Sequence, residues 1–133
     1  MKKIALGFFL ITALLACPYN APNKPEPTGP TDSIPPGIPQ NVIAVAGDSQ
    51  IKFSWDANSE TDLKGYTIYY GTNASQISTP VFVAKPNISK TLTGLTNDAI
   101  YYYQLEAEDN SGNRSGRTIT KNATPVFDIA KPK

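Results

Sequence analysis

Ile51-Lys52-Phe53-Ser54-Trp55, then Tyr66-Thr67-Ile68-Tyr69-Tyr70, then Tyr101-Tyr102-Tyr103-Gln104-Leu105-Glu106-Ala107 are the runs whose reading decides the fold. In each, every second residue is apolar or aromatic, and all but Ala107 are large. Successive side chains of a strand point to opposite faces, so each run offers one face to a core. Working outward, Val42 and Ala44 fit a first strand, and Val81 to Val83 a short one. Leu92 and Leu95 precede a turn at Asn97-Asp98. Asp109 to Asn113 reads as another turn, and Thr118 to Thr120 as the last strand. No helical period is convincing after residue 17. Seven short strands at this spacing predict an all-β antiparallel sandwich. Its expected core is Val42, Ile51, Phe53, Trp55, Tyr66, Ile68, Tyr70, Leu92, Leu95, Tyr101, Tyr103 and Leu105.

Several of these residues resemble a fibronectin type III domain. Pro39-x-x-Val42 opens the first strand, and Ile51-x-Phe53-x-Trp55 places the core tryptophan of the second. Asp62-Leu63-Lys64-Gly65-Tyr66-Thr67-Ile68-Tyr69-Tyr70 is similar to the third strand of bacterial members. Leu95 followed six residues later by Tyr101 has the spacing of the tyrosine corner, where the Tyr hydroxyl ties back to the backbone. Asp109-x-x-Gly112-Asn113-x-Ser115 is similar to the bacterial form of the following turn. The resemblance covers roughly residues 36–125. It departs at Asn97, where the family often has Pro; Asn suits a turn as well. The resemblance implies an immunoglobulin-like seven-stranded sandwich with Trp55, Tyr66, Leu95 and Tyr101 as its structural residues.

The residues before this domain read differently. Lys2 and Lys3 precede an apolar run of 13 residues, Ile4 to Ala16. That run is short for a bilayer span and suits a signal peptide. With Leu14-Leu15-Ala16-Cys17 the chain resembles a bacterial lipoprotein precursor. The resemblance implies cleavage after Ala16 and a diacylglycerol-modified, acylated N-terminus at Cys17. At ~0.8 kcal/mol per buried methylene, two or three acyl chains hold a protein on a membrane durably. Residues 17–35 read as a Pro-rich tether. Residues 18–39 hold 8 of the chain's 12 prolines and few sizeable apolar residues, so they build no core. Proline favours an extended chain of about 3.1 Å per residue, so this stretch reaches on the order of 60 Å. A spacer is favoured over a proline-rich ligand. Residues 126–133 read as a loose C-terminal tail.

Composition narrows the function. The 133 residues carry 12 Lys+Arg against 11 Asp+Glu, so no basic excess supports nucleic-acid binding. The chain has no His, the commonest general base and metal ligand. One Cys excludes an intrachain disulfide and a thiolate zinc site. Ser and Thr occur without a nucleophile-elbow motif. No catalysis, metal or cofactor is therefore expected beyond the covalent lipid on Cys17. Asp56-x-Asn58-x-Glu60-x-Asp62 alternates oxygen side chains as a calcium loop does. Thr61 stands where that loop requires Gly and Thr67 where it requires Glu, so a polar loop is favoured. The four Asn-x-Ser/Thr matches at Asn73, Asn87, Asn113 and Asn122 read as chance in a bacterial protein.

One candidate binding face remains. By the alternation, Tyr69 and Tyr102 point outward on neighbouring strands, with Thr67 and Gln104 beside them. Exposed aromatics suit sugar stacking or a protein interface. A cross-strand pair that merely stabilises the sheet is the favoured alternative. The expected protein is thus a non-enzymatic, lipid-anchored component of the bacterial cell envelope, on the outer membrane where the host has two. It would present its module to a protein or polysaccharide partner. A structural spacer of an envelope assembly, or an accessory carbohydrate-docking subunit of a separate enzyme, are the alternatives.

Overall fold

The computed structural model describes residues 32–128. The expected signal peptide, Cys17 and most of the tether lie outside them. Among the described residues there is no helix. Seven strands form instead: β1 (Ile43–Gly47), β2 (Gln50–Ser54), β3 (Leu63–Gly71), β4 (Thr79–Ala84), β5 (Ser89–Thr93), β6 (Tyr101–Asp109) and β7 (Lys121–Ala123). They make two antiparallel sheets, one ordered β1-β2-β5 and the other β4-β3-β6-β7. This is the predicted two-layer sandwich.

The core fills the space between the sheets. Ile51, Phe53 and Trp55 face Tyr66, Ile68, Tyr103 and Leu105, all buried. Phe53 meets Tyr103 edge-on with centroids 4.8 Å apart, and Trp55 meets Tyr66 at 5.1 Å. Such edge contacts add to area burial. Tyr70 and Tyr101, expected inside, are partly buried and pack against this core from its margin. The Tyr101 hydroxyl accepts the Thr96 amide at 3.1 Å, tying the β5–β6 connection to β6.

The last strand is shifted from its expected place. Thr118 to Thr120 lie beside β6, but the strand begins at Lys121. The reason is local. The Ser115 and Thr118 hydroxyls accept the amides of Ala107 and Leu105, a role that strand carbonyls would otherwise fill. The end of the expected domain at Pro125 is tied to the sheets, while Val126 and Phe127 of the expected tail are exposed. Pro125 is buried, its carbonyl accepts the Asp98 amide, and the Val126 amide donates to Gly47.

Candidate functional site

β3 and β6 pair in register through the middle of the four-stranded sheet, with Thr67 opposite Glu106 and Tyr69 opposite Gln104. The outward face of this pair was expected to be solvated. It is not: Thr67, Tyr69, Glu106 and Glu108 are all buried. Charged side chains from the segment after β6 fold back over it. Arg114 lays one guanidinium nitrogen 2.7 Å from Glu106 and the other 2.9 Å from Glu108. Arg117 Nε stands 3.5 Å from the second Glu106 oxygen. Lys64 reaches Glu108 from β3. Tyr69 donates its hydroxyl to Glu106 at 2.8 Å, and the Arg117 guanidinium lies 3.5 Å from the Tyr69 ring centroid.

The outward pair expected of Tyr69 and Tyr102 is therefore corrected. The two residues share a face, with Tyr102 opposite Gly71. Tyr69 is only 9% exposed, however, because Arg117 occupies the ring face that a ligand would use. The two rings are not among the close ring pairs of the described residues. Sequence alternation gave the direction of Tyr69. It had no means of showing what the chain after β6 would place on top of it.

On this face an aromatic ring that does reach solvent is that of Phe82 on β4, 46% exposed. Its position depends on Gly65. A Cβ there would sit 2.8 Å from Phe82 Cζ and 2.4 Å from the Val83 carbonyl oxygen. Only glycine lets the β4 ring and backbone approach so closely. The β3–β6 register shifts between Leu63 and Gly65, beside Lys64. The Lys64 ammonium stands 5.6 Å from the Phe82 centroid. Together Lys64, Thr67, Tyr69, Pro80, Phe82, Glu108 and Arg114 line an open trough of about 450 Å³. That is within the ordinary range of ligand sites. Glu106 holds the Arg114 guanidinium above its usual pKa, with the Glu108 charge adding to it, so this cation is permanent.

The polar loop after β2 does other work. Glu60 accepts the Gly37 amide at 2.7 Å, and Asn58 donates to the Gly37 carbonyl. That contact, chiefly the Gly37 amide, lowers the Glu60 pKa. Asn113 likewise donates to the Asp32 carbonyl. These bonds strap the segment before β1 onto the domain. Asp32, Asp62 and Asp109 bring carboxylate oxygens within 4.8 Å of one another. Both Asp109 oxygens are already committed, to the amides of Ser111 and Asn113 and to the Asn113 side chain. Burial raises the Asp109 pKa, but the bonds from Asn113, Ser111 and Gly112 outweigh it and leave the carboxyl below its usual value.

No family model matches the chain. It is 29% identical over 99 residues to an amylopullulanase of Thermoanaerobacterium saccharolyticum and 35% identical over 95 residues to an α-amylase of Niallia circulans. These alignments take in 74% and 70% of this chain, but only 8% and 7% of the two enzymes. The chain thus spans a small fraction of its curated relatives. Among solved structures, the FN1-FN3 domains of chicken CNTN1 superpose with a TM-score of 0.63 at 23% identity, over 69% of this chain and 33% of that one. The fn3 domain of human contactin 1 gives 0.61 at 20% identity, over 71% and 82%. The fold is that of a fibronectin type III domain.

Proposed function

We propose that this protein is a non-enzymatic, lipid-anchored component of the bacterial cell envelope, and that its fibronectin type III module binds polysaccharide or protein. The observation that carries the binding reading is the trough on the outer face of the four-stranded sheet. There a solvent-facing Phe82 lies beside charged groups fixed by a network of ion pairs. An aromatic plate next to oriented polar groups is the arrangement that small-molecule and sugar sites share. The names of the similar enzymes favour polysaccharide and support an accessory role beside carbohydrate-active machinery.

The anchor rests on Leu14-Leu15-Ala16-Cys17, and the Pro-rich residues 17–35 are proposed as its spacer. Membrane fractionation of cells making the wild type and Cys17→Ala tests this half. The wild type should sediment with membranes and the variant should not. Binding is tested by cosedimentation of the protein with insoluble cell-wall polysaccharide. Retention by wild type, weakened by Phe82→Ala, supports the reading. Retention that ignores this face contradicts it.

A further inference from the structure

We infer that the trough takes an acidic polysaccharide, one whose sugar rings carry carboxylates; this rests on the binding reading above and names its ligand class. The argument is a count of charge and of hydrogen-bonding capacity. Lys64, Arg114 and Arg117 surround two carboxylates, Glu106 and Glu108, which leaves 3 − 2 = +1 on this face. Residues 32–128 as a whole carry 7 Lys+Arg and 10 Asp+Glu, or 7 − 10 = −3. The trough is a positive island on an acidic body.

The two signs are also disposed differently. The carboxylate side chains are 8–9% exposed, and all four of their oxygens face a cation. The cations are 40–51% exposed. An ammonium has three donor hydrogens and a guanidinium five, and neither accepts. The carboxylate oxygens of this site are each turned to a cation inside it, and its charged groups toward solvent are the donors. A ligand that fits must bring acceptors and negative charge.

Phe82 supplies the other half. The Lys64 ammonium lies over the Phe82 ring at 5.6 Å, well beyond the 3.5 Å at which Arg117 caps Tyr69, so a pyranose against the exposed part of the Phe82 ring would bring its carboxylate to that ammonium. Arg114, which also lines the trough and shares the Glu108 carboxylate with Lys64, would take a second oxygen. An acidic peptide fits less well. Peptides commonly bind a sheet by adding a strand to its edge, and β4 is the edge here. Pro80, inside that strand, has no amide to offer.

The test uses the full-length lipidated protein in detergent micelles. Its binding to polygalacturonate is compared with amylose as a neutral glucan and polyglutamate as an acidic peptide, at low and high salt. Melting curves first establish that each variant is folded. Polygalacturonate should bind, weaken with salt, and lose about tenfold in affinity with either Lys64→Gln or Phe82→Ala. Lys52→Gln, on the other sheet, should leave affinity unchanged. Equal or tighter binding of amylose, lost in Phe82→Ala, would overturn the acidic ligand and leave the binding reading standing. Polyglutamate matching polygalacturonate with no effect of Phe82→Ala would reduce the site to charge attraction and overturn the inference. No polysaccharide held by the folded protein would overturn the inference together with the polysaccharide half of the binding reading, and leave only a protein partner.

Discussion

β3 and β6 bury both of their faces, and they do so by opposite means. Toward the other sheet, Tyr66, Ile68, Leu105 and Ala107 sit in the apolar core, and the one directed side-chain bond among them is the Tyr66 hydroxyl accepting the Asn58 amide at 2.8 Å. Away from it, Thr67, Tyr69, Glu106 and Glu108 are buried too, at 5–9% exposure against 0–1% on the inner face, and they are buried under charge. The inner face is held by area removed from water, which is non-directional. The outer face is held by directed bonds, each requiring its partner. Replacing one residue inside should lose contact energy roughly in proportion to size. Replacing one outside should leave a partner charge stranded.

Trp55→Ala attacks the inner face and should have the largest effect, a loss of about 3–5 kcal/mol, enough to unfold much of a domain this small. A urea melt showing a folded, barely weakened variant would break the comparison. Arg114→Ala attacks the outer face. A buried pair that loses one member costs about 3–5 kcal/mol. Arg114 is half-exposed, so about 2 kcal/mol is expected once solvent screening is counted. Adding Glu106→Gln and Glu108→Gln should recover part of that loss. No recovery would mean that Arg114 acts through packing alone. Gly65→Ala joins the two faces. Its Cβ clashes with Phe82 and the Val83 carbonyl, and a cost of about 1–3 kcal/mol with displacement of β4 is expected. Calorimetry checks the cost and Phe82 side-chain shifts the displacement. Tyr101→Phe keeps the ring and removes only the bond to Thr96, for about 1 kcal/mol.

The smallest effect is one of pH. The native Asp109 carboxyl lies below its ordinary value. Its contribution is complete above the unfolded value, about 4, and is lost as pH falls through the lower native one. Urea midpoints measured at about pH 6 and about pH 3 should therefore converge in Asp109→Asn relative to wild type.

The same contrast explains what was legible in the sequence. Period two in 51–55, 66–70 and 101–107 located β2, β3 and β6, because one apolar face leaves a regular mark. Leu95 and Tyr101 marked the β5–β6 corner. The outer face left no comparable mark. Glu106 and Glu108 alternate correctly for exposed residues, and they are buried only because Arg114 and Arg117 return over them from a turn where Gly112 adopts φ +89. Burial by charge depends on where a later segment lands, which no local period encodes. The position of β7 was missed for the same reason, since hydroxyls of Ser115 and Thr118 took over bonds that alternation assigns to strands. Phe82 carried one signal that was available: Gly65 opposite Ala84, beside an aromatic on an edge strand.

The most direct test of the outer face as a binding surface is amide shift mapping by NMR. The full-length protein in micelles would be titrated with oligogalacturonate. Shifts should gather at Lys64, Thr67, Phe82 and Arg114 and leave β1, β2 and β5 unmoved. Shifts confined to the three-stranded sheet, or none at saturating ligand, would contradict the account.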